Sequence, residues 1–443
     1  MASNREILEA QRFNRSRLTT AFTSGLPGGR ELEPRSTLTP LIVGLVITAL
    51  LIATGLVLHK FSPSLPDGWQ DNHVLVIKDT GARYYTIGGV MHPVTNITSA
   101  KLLTPAGSFN LAEVAASKVE GIPRGEQLGL PGAPDDVPAP SALLKGAWTA
   151  CAVSQSATST WVGAEPAMSA AQMALVDNQD SLFLVADGAR HPIGGEPAAT
   201  LTALGLVDAA RHPVRADWLD LATPGTPLAP LVIGGAGLPT LGLSSALAGA
   251  VVGSLVDVTH DGATTHYVVV DQAHLVALTD VAYAMYQLGT GAYPEVVGQP
   301  ITATLADVAN FVTPNPGAIP EDWPATIAAT VPADTSPCLR RDMADGAIDL
   351  MATDQPLADG VNVPGGSAAL IQVQSGGTLG AVRLISDNGL AYGISGDITD
   401  TLARLGYSPD DVMPVPSNWA ALASRSDPAA PVLSPDAVAE AVR

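Results

Sequence analysis

Eighteen consecutive residues, Leu41 to Leu58 (LIVGLVITALLIATGLVL), carry neither a charge nor a proline. No other feature restricts the fold of this chain so strongly. As a helix the run extends about 27 Å, close to the thickness of a bilayer's hydrocarbon core. Pro40 stands at its start, where proline's missing N–H costs nothing, and Pro63 and Pro66 bar continuation beyond His59 and Lys60. A buried helix of a soluble core would show a polar face over such a length. The run therefore predicts one transmembrane helix within 40–60. A cleaved signal peptide is the competing reading. It needs a short charged leader and a small-x-small site after the apolar core. Here the leader runs from Met1 to Thr39 and the run ends in LHKFSPSLP, so an uncleaved anchor is expected.

The leader sets the direction. It holds Arg5, Arg12, Arg15, Arg17, Arg30 and Arg35 against Glu6, Glu9, Glu31 and Glu33, so it is net positive in a chain whose net charge is −20. Positive flanks stay in the cytoplasm, which places the N-terminus inside and the bulk of the chain in the periplasmic, extracytoplasmic space. Within the leader, Glu6 to Phe22 spaces Ile7, Ala10, Phe13, Leu18 and Phe22 near helical intervals. Phe13, Leu18 and Phe22 are read as an apolar stripe with Arg12 and Arg17 beside it, a partner-binding surface. Such a helix lies on the inner leaflet or against a partner's helix, and both readings stay open.

The remainder is long enough for a sizeable core, with 47% hydrophobic and 14% charged residues. Glycine (43) and proline (36) mark a turn-rich folded chain rather than a disordered one. The acidic surface repels a polyanion, so no nucleic-acid partner is expected. The two cysteines, Cys151 and Cys338, form no CxxC pair. On the oxidising side of a membrane they read as one disulfide, with two buried free thiols as the alternative.

Self-similarity organises the region beyond the anchor. Val74–Val94, Leu182–Ile193 and Val382–Ile394 each place an Asp shortly before a Gly between apolar strands, and His260-Asp261-Gly262 supplies a fourth such hairpin. Short helices follow, at SAKLL, LTALGL, VAYAMYQLG and LARLGY, then Pro/Gly-rich closing segments. Two stretches fall outside the repeat, one around WTACAV and one around SPCLRR and AALIQV, each with one cysteine. They are read as a shared central core. The expected fold is α+β and β-rich: one transmembrane helix, then an elongated, pseudo-two-fold body of four βα-type repeats around a central β-sheet. The expected segments are a leader at 1–39, the membrane helix at 40–60, and a linker with the first repeat at 61–143. The first part of the core follows at 144–175, then repeats at 176–240 and 241–324. The second part of the core occupies 325–375, and the fourth repeat with the tail occupies 376–443.

Catalytic patterns are sparse. There is no G-x-x-x-x-G-K-[ST] loop and no Gly-Lys pair, and Gly235-Ala-Gly237 and Gly289-Thr-Gly291 lack the third glycine of a dinucleotide turn. No HExxH occurs, and His260, His266 and His274 are on hairpin spacing, so no metal site is expected. His92 and His191, each in His-Pro, read as one repeated structural position. The G-x-S-x-G elbow is missing, and Asp135-Asp136 and Asp410-Asp411 read as solvated loop charges. No catalytic residue is assigned.

The residues that remain resemble a known family. AQRFNRSRLTTAF matches a leader pattern at Gln11, Arg12, Phe13, Arg17, Leu18 and Ala21, with Ser16 where arginine is usual. DTGARYYTIGGVMHPVTNITSAKLL, IPRG at 122–125, GLPGAPDDVP at 129–138 and Trp148-x-x-Cys151 continue it in order. Together they resemble EccB, the single-pass component of the actinobacterial type VII (ESX) secretion machinery. The resemblance implies a structural subunit of an inner-membrane complex, assembled with EccC, EccD and EccE and with other copies of itself in the bilayer. It also implies a possible ATPase role, because the family carries an ATP-hydrolase label. The sequence offers no motif for ATP and no other cofactor. A cell-wall or peptidoglycan-binding module is the third reading.

Overall fold

The structure is a computed structural model that describes residues 4–24, 38–60, 65–289, 299–423 and 430–441. The chain divides into two compact bodies, within Met1–Leu65 and Pro66–Arg443. The first contains two helices, α1 (Asn4–Ser24) and α2 (Leu38–Lys60). The apolar run expected to span a membrane lies inside α2. Leu41 to Thr54 are exposed to the surroundings, and the side chains of 55–58 lie outside the described residues. Among the described residues no helix is long and apolar enough to cross a membrane.

The second body is a mixed α+β assembly of small sheets. The first sheet contains β1 (His73–Ile77), β2 (Arg83–Ile87), β3 (Val90–Pro93) and β4 (Asn110–Val114). Its first three strands form an antiparallel meander, and helix α3 (Ile97–Leu103) carries the chain back so that β4 pairs parallel with β1. A parallel return requires a crossover, and the short helix supplies it. Asn96 starts that helix by accepting the Ser99 N–H at 2.8 Å.

The same order recurs three times. The second sheet has β8 (Met173–Asn178), β9 (Ser181–Ala186) and β10 (Ala189–Pro192), then α4 (Pro197–Ala203) and β11 (Arg211–Pro213) parallel to β8. A short fifth strand, β12 (Thr223–Pro224), follows helix α5 (Ala216–Leu219) and joins β10. The third has β13 (Leu255–His260), β14 (Ala263–Val269), β15 (Leu275–Leu278), α6 (Asp280–Gly289) and β16 (Ile301–Ala303). After the short helix α7 (Leu305–Val308) and the central strands comes the fourth. It has β20 (Ala368–Ser375), β21 (Thr378–Ser386), β22 (Ala391–Ile394), α8 (Ile398–Leu405) and β23 (Met413–Pro416). Two small helices end the described chain, α9 (Ser417–Ala423) and α10 (Pro435–Glu440).

This corrects the alignment of hairpins expected from sequence. The Asp-Gly signals at 79–81 and 261–262 close the first hairpin of their sheets, whereas those at 187–188 and 387–389 close the second. The unit is three strands long before its helix, not two. AALIQV, expected in the core, is β20, the first strand of the fourth sheet, and β8 likewise begins at 173 inside the stretch assigned to the core.

The central sheet runs in the order β19-β6-β5-β17-β18-β7. Its strands are β5 (Trp148–Ser154), β6 (Ala157–Val162), β7 (Ser169–Ala170), β17 (Ser336–Arg341), β18 (Ile348–Thr353) and β19 (Gly360–Asn362). Alternation puts Trp148, Ala150, Leu339 and Leu350 on one face, buried with Trp218 and Trp419 from α5 and α9. Trp218 Nε1 donates to the Ala150 carbonyl at 2.8 Å, which fixes α5 on β5. The exits of the outer sheets cross over. Leu144 N–H donates to the Ala368 carbonyl at the start of the fourth sheet, and Val331 N–H donates to the Met173 carbonyl at the start of the second.

The turn after β9 packs on the central sheet. Asp187 and Gly188 have φ of 49° and 72°, and a Cβ on Gly188 would stand 2.7 Å from the Ile348 carbonyl oxygen of β18. Gly205 has a similar φ of +66° with nothing within 4 Å of its would-be Cβ. Gly205→Ala should therefore cost about 1–2 kcal/mol from backbone strain alone. Gly188→Ala should cost roughly 2 kcal/mol more because backbone must also move. Denaturant unfolding of both variants checks this, and equal costs would remove the turn from β18.

Candidate functional site

The centre of the second body is the pair Cys151 and Cys338. The cysteines stand directly opposite each other on antiparallel β5 and β17, with Cα atoms 3.9 Å apart and an S–S bond of 2.08 Å. Both are fully buried. The bond closes 187 residues of chain, the pairing expected from sequence. On the same sheet face, Arg340 donates to Glu165 at 2.9 Å and Thr149 Oγ1 donates to Glu165 at 3.2 Å.

Around this centre the outer sheets associate in pairs. Leu102, Leu130 and Val137 of the first share a core with Leu384, Leu402 and Leu405 of the fourth. Arg404 of α8 donates through Nη1 to the Leu102 and Thr104 carbonyls at the end of α3, at 3.1 and 3.2 Å. The end of a helix leaves carbonyls without intrahelical partners, and the guanidinium satisfies two of them. Tyr407 Oη donates to the Pro138 carbonyl at 2.8 Å, and burial holds its phenol well above the ordinary value, helped by Asp136 and Asp411. The second and third sheets share a separate core in which Leu201 and Leu204 meet Ala282 and Met285. Across that junction Asp322 accepts the Thr226 N–H at 2.6 Å. Burial raises its carboxyl, but the Thr226 bonds and the nearby His191 outweigh this and hold it below the usual carboxylate range.

His92 and His191 occupy matching places. Each Nδ1 lies 3.0 Å from a carbonyl, of Glu126 and Thr226 respectively. A Cβ on Gly125 or Gly225 would fall 2.2 or 2.5 Å from the imidazole, so each ring packs directly against a bare glycine backbone. The residues read as solvated loop charges are mostly paired. Asp135 accepts from Arg83, and Asp136 accepts from Lys101 at 2.6 Å. Asp411 takes the Ser408 N–H at 2.9 Å and lies 3.4 Å from Lys145, while Asp410 offers Lys145 its carbonyl at 3.2 Å. His260, His266 and His274 do not converge, since each bonds its own neighbour, Asp261, Asp257 or Asp271. His266 also stacks on Tyr283 with ring centroids 3.7 Å apart. Among the described residues no group of three or more His, Cys, Asp or Glu could hold a metal ion. Gly291 lies outside the described residues.

Helix α1 exposes Phe13, Leu18 and Phe22. They do not share one stripe. Nine residues separate Phe13 from Phe22, about two and a half turns, so the two rings project from opposite sides. Ile7 and Leu18 lie nearer the Phe22 side, and Arg17 nearer the Phe13 side. Arg12 falls about 100° from Phe13 on its other flank.

A cavity of about 260 Å³ opens where the first and fourth sheets meet, lined by Lys101, Phe109, Pro138, Pro140, Arg404 and Leu405 among others. No spacing in the sequence could have indicated it, because its walls come from segments some 300 residues apart.

Over residues 1–441 the chain matches the family model described as type VII secretion system ESX-1, transport TM domain B. It belongs to this family, EccB. The ESX-3 secretion system ATPase EccB3 of Mycolicibacterium smegmatis is 29% identical over 440 residues, spanning 87% of this chain and 81% of that protein. The ESX-5 secretion system ATPase EccB5 of Mycobacterium marinum is 34% identical over 122 residues, which span 27% of this chain and 23% of the relative. Among solved structures, a chain of the EccB3 dimer from the ESX-3 core complex superposes with TM-score 0.63 at 24% identity, covering 82% of this chain and 99% of that one. A chain of the intact ESX-5 inner membrane complex gives 0.64 at 20% identity, covering 99% and 95%. At these identities the structural likeness establishes the fold.

The disulfide yields a direct expectation. Alkylation of denatured, unreduced protein should label neither cysteine. Replacing both with alanine should cost about 5 kcal/mol on the loop-closure model, less any strain released. Labelling of both thiols would contradict the pairing.

Proposed function

We propose that this chain is a structural subunit of a type VII (ESX) secretion complex in the inner membrane, assembling with EccC, EccD and EccE and with further copies of itself. The observation that carries this reading is the family match over residues 1–441, which takes in leader, apolar helix and folded body together. In this reading α2 is the transmembrane helix, because residues 41–58 are continuously apolar. The net-positive leader is cytoplasmic and the body lies outside, where a disulfide persists. The four sheets with one strand order are copies of one βββαβ unit. Their pairing, first with fourth and second with third, makes a pseudo-two-fold body about the central sheet. Association between copies is supported by the dimer named for a similar structure.

An ATPase is the second reading, favoured by the names that the similar proteins carry. Against it stands the sequence, which has no G-x-x-x-x-G-K-[ST] loop and no Gly-Lys pair to hold a triphosphate. Purified full-length chain should release no phosphate from ATP above contaminant level. Turnover that co-elutes with it and vanishes with a point substitution would establish the enzyme instead.

Detergent extraction with a C-terminal affinity tag, followed by mass spectrometry, tests assembly. The expected result is recovery of EccC-, EccD- and EccE-like membrane proteins, and recovery of the chain alone would overturn the reading. Charge reversal of Arg12 and Arg17 should lower partner recovery several-fold while leaving membrane insertion intact. Unchanged recovery would take α1 out of the partner contact.

A further inference from the structure

The cavity between the first and fourth sheets holds two cations with donors to spare. Lys101 Nζ has three protons. One goes to Asp136 Oδ1 at 2.6 Å and one to the Val137 carbonyl at 3.4 Å. Arg404 uses Nε on Asp400 at 2.7 Å and both Nη1 protons on the Leu102 and Thr104 carbonyls. One Lys101 proton and both Nη2 protons of Arg404 have no partner among the described residues. Both side chains line the cavity and are mostly withdrawn from solvent, at 17% and 22% exposure. Phe109, with its ring centroid 5.7 Å from Lys101 Nζ, forms an apolar wall with Pro138, Pro140 and Leu405.

We propose that this cavity binds the C-terminal carboxylate of a polypeptide. A planar oxyanion can take one proton from the ammonium and a further pair from the guanidinium. Asp136 and Asp400 already balance the two cations, so no net positive charge is left to offset the second charge of a phosphate, and a singly charged head is favoured. The apolar walls call for an organic body behind the head, which a bare inorganic anion lacks. At about 260 Å³ the cavity falls below the range for drug-sized ligands, so it takes one or two small residues and leaves the rest of the chain outside. Because Arg404 also holds α3, an occupant would bear on the contact between first and fourth sheets. The inference stands on this geometry and does not depend on the assignment to a secretion complex.

Saturation-transfer NMR on the full-length protein in detergent tests it, with N-acetyl-alanyl-alanine as probe, its C-terminal amide as the uncharged control, and acetate as the bare head group. The acid should bind with a Kd of about 1 mM or tighter, and the amide at least about tenfold more weakly, since a charge-assisted pair is lost. Lys101→Met and Phe109→Ala should each weaken the acid by a similar factor. No binding of the acid at 10 times that concentration overturns the proposal. Equal binding of acid and amide, acetate as tight as the peptide, or affinity unchanged in Phe109→Ala would also overturn it. Should Lys101→Met fail to fold, the acid–amide contrast and Phe109→Ala still decide.

Discussion

The cross-strand pairing of β5 with β17 is the contact on which the second body depends. Residues 148–151 and 338–341 lie side by side in antiparallel register. Within the second body the strands before β5 form the first sheet, and between β6 and β17 the chain forms the second and third sheets, apart from β7, which joins the central one. The chain therefore reaches this pairing only after closing a loop of more than 180 residues. A loop that long imposes a large entropic cost on the central contact. The disulfide removes that cost from the unfolded side, and the tryptophans of α5 and α9 bury one face of the sheet it joins.

The outer sheets then explain one another. The starts of β8 and β20 are completed by exit segments of the third and first sheets, at Thr330 and Leu143. A small four-stranded sheet buries little apolar surface on its own and is marginal alone. Pairing through α3 with α8 and through α4 with α6 gives each helix a second apolar surface. The His92–Gly125 and His191–Gly225 contacts hold the closing segments against β3 and β10, and they explain why a histidine stands at the matching place of both strands.

Much of this was legible beforehand. The apolar run, the two lone cysteines and the four helices at SAKLL, LTALGL, VAYAMYQLG and LARLGY were visible because each is local. The strand count per unit was not. Asp187-Gly188 and Asp261-Gly262 announce themselves as turns, but their counterparts are Gln179-Asp180, Gly88-Gly89 and Gly376-Gly377, none of which reads Asp-Gly. Unlike hairpins therefore align as equivalent when only the Asp-Gly signal is matched. AALIQV reads equally well as any buried strand, and only its pairing with β21 assigns it to the fourth sheet. The ion pairs of Asp135 and Asp136 depend on Arg83 and Lys101, over thirty residues away, so spacing alone made them look solvated. The Phe13 and Phe22 relation was countable from the helical period and needed only the angle to be summed.

Hydrogen exchange by mass spectrometry on the intact, oxidised chain tests the central claim most directly, because the contact that unites the halves should open last. The slowest-exchanging amides are predicted in β5 and β17, within 148–154 and 336–341, with the four outer sheets opening earlier. If an outer sheet retained protection after β5 and β17 had exchanged, the central pairing would not be what holds the body together.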